Sequence, residues 1–251
     1  MPQVGQCYKE NVWNDDMAHV ERVDCAAGHV LETASVGRLI GAAAQLSSRP
    51  ASDAAELADV DRQCNTAAID YVGGPLVDQR LIYLVVVPSR LEWAGGARWY
   101  TCDVAQISPY TRVSYADRVG SVRGVAKAPP PDPVCFKLAK KDTTEGMTGV
   151  ACDSPHGAEL VGALQPPFGA VIPTSQETWI RYVTMCRDRI ATVMGVSQAA
   201  VIQKWGNDAY RPSEEEWRAG LRVVQCYFVL WTKTVAKSIR GSHGAGIPGS
   251  W

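Results

Sequence analysis

One block of this sequence occurs twice, and that repeat constrains the fold more than any other feature. Pro88-Ser89-Arg90-Leu91-Glu92-Trp93 runs on through Gly96 and Arg98 to Cys102. Pro212-Ser213-Glu214-Glu215-Glu216-Trp217 runs on through Gly220 and Arg222 to Cys226. Both read P-S-x-x-E-W-x-x-G-x-R-x-x-x-C without a gap. Two copies of one module are therefore expected. A chain of 251 residues has room for two domains of ordinary size.

The eight cysteines divide in the same way. Cys7, Cys25, Cys64 and Cys102 fall in the first copy, and Cys135, Cys152, Cys186 and Cys226 in the second. Their successive gaps are 18, 39 and 38 residues against 17, 34 and 40. An even number at repeated spacing, with no C-x-x-C pair, predicts disulfides formed in an oxidising compartment. Missing paired-ligand spacing also argues against a zinc site, so no metal or other cofactor is expected. Four cysteines allow three connectivities per module. Local pairing is expected: Cys7–Cys25 and Cys135–Cys152 between neighbouring strands, Cys64–Cys102 and Cys186–Cys226 between a helix and the last strand.

The segments between these marks recur in order. Copy one is read as short strands at Val4 to Tyr8 and Val20 to Cys25, with turn chemistry at Asn14-Asp15-Asp16 between them. A strand from His29 to Val36 follows. Ser52 or Asp53 is expected to cap a helix ending near Val72, because Ala54, Leu57, Ala58, Asp61 and Cys64 repeat at three and four. Gly73-Gly74-Pro75 stops it. Leu81 to Val87 is continuously apolar and β-branched, as a strand buried on both faces would be. Ser89 is expected to cap a one-turn helix, and a strand from Arg98 to Ile107 closes the copy. In copy two the matching strands are Val134 to Leu138, Gly149 to Cys152, Gly157 to Leu164 and Leu221 to Trp231. Ser175 caps the long helix and Ser197 a shorter one.

The expected domains are residues 1–108, a Pro-rich spacer over 109–133, residues 134–231, and a mobile Gly-rich tail over 232–251. The spacer ends in Pro129-Pro130-Pro131-Asp132-Pro133, which favours extended, semi-rigid geometry. The fold class is α+β: two tandem repeats, each a small antiparallel sheet packed against one or two helices.

Charge adds little. Lys plus Arg total 25 against 26 acidic residues, so no basic excess attracts nucleic acid. No run reaches the length of a membrane span. Because disulfides imply export, an N-terminal signal or anchor preceding residue 1 is expected.

Candidate chemistry rests on a second shared motif, C-x-x-x-H-x-x-E: Cys25…His29…Glu32 and Cys152…His156…Glu159. His and Glu suit acid/base work or metal ligation. In a regular strand, positions three apart face opposite ways, which argues against joint ligation. The structural expectation is that each His bonds backbone at the strand entry and each Glu answers the Arg of the other block. Trp93 and Trp217 are expected to plug the core edge, with sugar stacking as the alternative. Arg98 and Arg222 are expected to pair with Glu92 and Glu216. No G-x-S-x-G, H-E-x-x-H or P-loop signature occurs, so no catalytic residue is assigned. His19 and His243 have no counterpart in the other copy.

The ordered set Gly5-x-Cys7-Tyr8, Cys25…His29…Glu32, Cys64 and Pro88…Trp93…Gly96…Cys102 resembles the septum formation domain of actinobacterial envelope proteins. So does the set Cys135-Phe136, Cys152-Asp153-Ser154-Pro155-His156…Glu159, Cys186 and Pro212…Trp217…Gly220…Cys226. Copy two departs in having Pro133 where copy one has Gly5. The resemblance implies exported or membrane-anchored proteins linked to cell division, without enzymatic activity or cofactor. Its partners would be an envelope or division protein or a cell-wall component. The competing expectation is a peptidoglycan- or carbohydrate-binding wall protein, hydrolytic or not, using Trp93 and Trp217.

Overall fold

A computed structural model describes residues 1–9, 21–51, 54–109, 115–140, 144–166, 169–170, 172, 174–218 and 222–250. The turn at Asn14-Asp15-Asp16, His19, the start of the strand expected from Val20, the caps Ser52 and Asp53, and Gly220 lie outside the described residues.

The chain forms two five-stranded antiparallel sheets of identical topology. In the first, β1 (Cys7–Tyr8), β2 (Arg22–Val23), β3 (Leu31–Arg38), β4 (Leu81–Val86) and β5 (Trp99–Gln106) lie in the order β2-β1-β3-β5-β4. In the second, β6 (Val134–Lys137), β7 (Thr148–Val150), β8 (Ala158–Leu164), β9 (Gly206–Tyr210) and β10 (Val224–Val229) lie in the order β7-β6-β8-β10-β9. The copies share even their irregularities. A register shift follows Thr33 in the β3–β5 ladder, and its counterpart lies opposite Cys226 and Tyr227 in the β8–β10 ladder. Each bulge sits two residues beyond the motif glutamate and next to a disulfide cysteine.

The helices follow from capping and periodicity. α1 (Gly41–Gln45) is a single turn. α2 (Ala58–Val72) buries Val60, Asp61, Cys64, Ala68, Tyr71 and Val72, one face of a 3.6-residue period. Gly73 ends it at φ 84, and donates its N–H to Ile69. α3 (Arg90–Ala94) begins with a complete capping box. Ser89 accepts from the Glu92 N–H, and the Glu92 carboxylate accepts from the Ser89 N–H at 3.0 Å. In copy two, α4 (Gln176–Met194) is capped by Ser175 and α5 (Gln198–Lys204) by Ser197. α6 (Glu214–Arg218) repeats α3, with Ser213 and Glu216 exchanging the same pair of bonds.

Four disulfides pin these elements. Cys7–Cys25 and Cys135–Cys152 fasten β1 and β6 to the loops after β2 and β7, and Cys64–Cys102 and Cys186–Cys226 fasten α2 and α4 to β5 and β10. Every cysteine is paired. Each bridge contributes about 2–4 kcal/mol.

The continuous apolar run of β4 has a structural cause. Leu81, Tyr83 and Val87 face the α2 core, while Ile82, Leu84 and Val86 join a second cluster with Trp99, Ile107, Ala163 and Val223. The last two belong to copy two, so the first sheet is covered by its helix on one face and by the other module on the opposite face. The Gln165 amide bonds both backbone groups of Tyr83, at 3.1 and 2.8 Å, and so pairs an edge strand that would otherwise be open.

Two segments differ from the sequence expectation. Within the segment expected as a semi-rigid spacer over 109–133, residues 115–127 pack onto the first module: Val122 is buried in the first core, and Arg118 pairs with His29 as an isolated bridge. The tail is not loose either. Ile239 and Ile247 are buried in the second core, and Ser250 accepts from the Gly206 N–H at 2.7 Å. Glycine content suggested mobility, but these glycines serve tight turns: Gly241, Gly244 and Gly246 all have positive φ.

Candidate functional site

The His and Glu of the second motif lie together in each module. His29 precedes β3 at a bend, so the face alternation of a regular strand does not apply. Its Nε2 lies 3.9 Å from the Glu32 carboxylate, and both side chains are 1 % exposed. The expectation that the pair points apart is thereby corrected. His29 Nδ1 bonds the Ala27 carbonyl at 3.1 Å, and His156 Nδ1 the Ser154 carbonyl at 2.8 Å. A carbonyl only accepts, so Nδ1 carries the proton in both rings. Each Nε2 is buried without a hydrogen-bond partner among the described residues.

The glutamates do not answer Arg98 or Arg222. Glu32 accepts from Tyr71 Oη and Ser121 Oγ, each at 2.5 Å, and from the Val122 N–H at 2.7 Å. Glu159 accepts from Ser238 Oγ at 2.7 Å and the Ile239 N–H at 2.8 Å. These donors form a third repeat, Ser121-Val122-Arg123-Gly124 and Ser238-Ile239-Arg240-Gly241. Gly124 and Gly241 both have left-handed φ, at 68 and 61. The segment after each last strand thus returns to its own module and latches onto the motif glutamate. Burial pushes the Glu159 carboxyl above its ordinary range, against the pull of its bonds from the Ile239 N–H and Ser238. Tyr71 is pushed up to about 12, by burial first and then by Glu32.

The repeated P-S-x-x-E-W block is also spent internally. Trp93 and Trp217 are 2 % and 6 % exposed. Trp93 donates its indole N–H to the Leu46 carbonyl. Glu92 and Glu216 are capping residues, not partners of the arginines. Arg98 stacks on Trp93 at 4.0 Å and donates to the carbonyls of Ala44, Trp93 and Ala97. Arg222, at the same motif position, leaves its own module. It reaches Asp61 on α2 at 2.7 Å, in a pair only 7 % and 3 % exposed. Asp61 also accepts from Tyr83 Oη at 2.8 Å. One repeated arginine therefore serves packing in copy one and inter-module adhesion in copy two. Arg189–Asp78 at 2.6 Å and Gln225 to the Ser108 carbonyl at 2.6 Å cross the same boundary.

Two open clefts are lined by described residues. One, of about 560 Å³, is lined by Lys137, Leu138, Lys140, Pro155, Trp231 and Lys233. The other, of about 670 Å³, lies over α2 between Asp59, Gln63, Asp70 and Tyr100. Neither brings together any of His29, Glu32, Trp93, His156, Glu159 and Trp217. His243 bonds the Gly195 carbonyl in the tail, away from both motifs. No helix among the described residues is long and apolar enough to cross a membrane.

A family model described as septum formation matches residues 4–226, so a single match spans both sheets. No curated protein and no solved structure matches this chain.

Proposed function

Because this chain belongs to the septum formation family, we propose that it is a non-enzymatic, extracytoplasmic binding module acting in division or cell-wall processes. The family supports a division or envelope role, and four disulfides are consistent with an oxidising compartment outside the cytoplasm. One observation carries the reading. The side chains that recur between the copies and that have chemistry to offer are interior fasteners: His29 and His156, Glu32 and Glu159, Trp93 and Trp217. A protein that spends these groups on its own rigidity acts by presenting a surface. Ile40 and Leu91, 80 % and 79 % exposed, sit at short helices that Trp93 and Arg98 tie together. They suit a protein partner.

The wall-carbohydrate reading is left without exposed rings at Trp93 and Trp217. The two readings separate in one experiment. A photo-cross-linking residue at Ile40 or Leu91, expressed in dividing host cells, is expected to give a discrete adduct with a division or wall-synthesis protein in the envelope fraction. Purified wall sacculi are expected not to retain the folded protein. Retention on sacculi with no protein adduct would overturn the proposal.

A further inference from the structure

Each module carries four potential metal ligands, three from the C-x-x-x-H-x-x-E motif and one from its first strand, and the fold brings three of each set close together. β1 supplies Cys7, the loop after β2 supplies Cys25, and the entry to β3 supplies His29 and Glu32. Copy two repeats the set as Cys135, Cys152, His156 and Glu159. Ligand atoms of Cys7, Cys25 and Glu32 lie within 4.8 Å of one another, as do those of Cys135, His156 and Glu159. In the oxidised protein the sulfurs are bonded to each other and offer no thiolate.

The imidazoles supply an independent observation. Both are buried to about 99 %, and both present an unpartnered Nε2. A neutral ring with Nδ1–H on a carbonyl has its lone pair at Nε2. That is the arrangement a metal-bound histidine adopts, with its second nitrogen fixed by a backbone acceptor. The glutamates are oriented in the same manner by Ser121 and Val122 and by Ser238 and Ile239. Leaving a buried polar atom unpaired is costly, and this chain does so at the same place twice.

We propose that opening Cys7–Cys25 and Cys135–Cys152 turns each constellation into a Cys2HisGlu site for a divalent metal of the zinc type. Two thiolates, an imidazole and a carboxylate are ligands that favour tetrahedral Zn2+. With metal–ligand bonds of about 2.0–2.3 Å, tetrahedral ligand atoms stand roughly 3.3–3.8 Å apart. To reach this the two bonded sulfurs of each bridge must separate once reduced, and His29 and Cys152, which lie outside the two three-ligand groups, must draw in. In the reductive step a dithiol delivers two electrons and two protons. The S–S bond breaks, two thiols form, and the reductant becomes a disulfide. The metal then displaces both thiol protons to solvent. Attack of the two thiolates on a second disulfide reverses the sequence: the protein S–S bond re-forms, that disulfide is reduced to a dithiol, and the metal is released. Access selects these bridges, since Cys25 and Cys152 are partly exposed while Cys64, Cys102, Cys186 and Cys226 are buried. The inference goes beyond the proposed envelope role and does not depend on which partner is bound.

The test uses the full chain, reduced anaerobically with a water-soluble phosphine until peptide mapping shows the two exposed bridges open and the two buried ones intact. Cobalt(II) is the probe. Its thiolate charge-transfer absorption is expected to saturate at two ions per chain, to vanish on adding zinc, and to be absent from the oxidised protein. His29→Gln and His156→Gln, first shown by circular dichroism to be folded when oxidised, are each expected to saturate at one ion. The untouched module serves as the internal control. Absence of thiolate–cobalt absorption in the reduced protein would overturn the proposal, as would two ions per chain in both variants.

Discussion

Replacing Arg222 with methionine separates the two roles of the repeated arginine. Methionine keeps most of the aliphatic volume and removes the charge facing Asp61. Arg222 and Asp61 are 2.7 Å apart and almost fully buried. Asp61 would keep only Tyr83 Oη, at 2.8 Å, among the contacts described above. Removing one partner of a buried pair costs about 3–5 kcal/mol, because the other charge remains desolvated. At about 1.4 kcal/mol per tenfold, the folded fraction relative to unfolded falls by two to nearly four decades. Arg98→Met, at the equivalent motif position, loses a stack on Trp93 and bonds to carbonyls nearer to solvent. It is expected to cost about 1–2 kcal/mol. Equilibrium urea unfolding near neutral pH, followed by tryptophan fluorescence and circular dichroism, measures both. R222M is also expected to broaden or split the transition, since the pair holds one module to the other. In the D61N background the cost of R222M should shrink by about 2–3 kcal/mol, because no charge is then left behind. A cost for R222M under about 1 kcal/mol, or simple addition of D61N and R222M, would mean that Arg222 and Asp61 are not an energetically coupled buried pair.

Further expectations concern the latches, the cores and a buried acid. Glu159→Ala strands the Ile239 N–H and Ser238 and should cost about 2–4 kcal/mol. Hydrogen exchange should show lost protection at Ile239 while Val122 in the other module stays protected. Trp93→Ala removes a core ring and its bond to Leu46, for about 3–5 kcal/mol by thermal unfolding. Burial raises Asp103 to about 6, against bonds from Thr33 and Thr101. Its folded value lies above its unfolded one, so the folded state binds the proton more tightly. Above pH 6 this group destabilises by about 2–3 kcal/mol, and the penalty disappears as pH falls through 6 towards 4. Asp103→Asn should flatten the stability profile in that window.

Much of the fold is legible in sequence because it rests on local signals. Capping residues mark Ser89, Ser175 and Ser197, Gly73 and Gly195 mark helix ends, and the apolar run at Leu81 marks a strand covered on both faces. β9 is not legible. Gly206-Asn207-Asp208-Ala209-Tyr210 has no apolar run or alternation, because an edge strand is defined by its ladder with β10 and not by its own burial. The latches hide for another reason. Ser121-Val122-Arg123-Gly124 is too short to stand out until its partner Glu32, 90 residues earlier, is known. The signal that exposes it is the copy at Ser238. Asp61 reads as an ordinary polar position on α2. Its role depends on Arg222, 161 residues away, and on a break in the symmetry of the repeat. The strand-face argument for His29 and Glu32 fails because it assumes regular geometry at a bend.

Two copies of one disulfide-pinned module carry their repeated side chains as internal fasteners. Peptide mapping of the oxidised protein without reduction tests it most directly. The predicted pairs are Cys7–Cys25, Cys64–Cys102, Cys135–Cys152 and Cys186–Cys226, each confined to one copy. A bridge joining the two copies, or free thiols in the protein before any reductant is added, would contradict it.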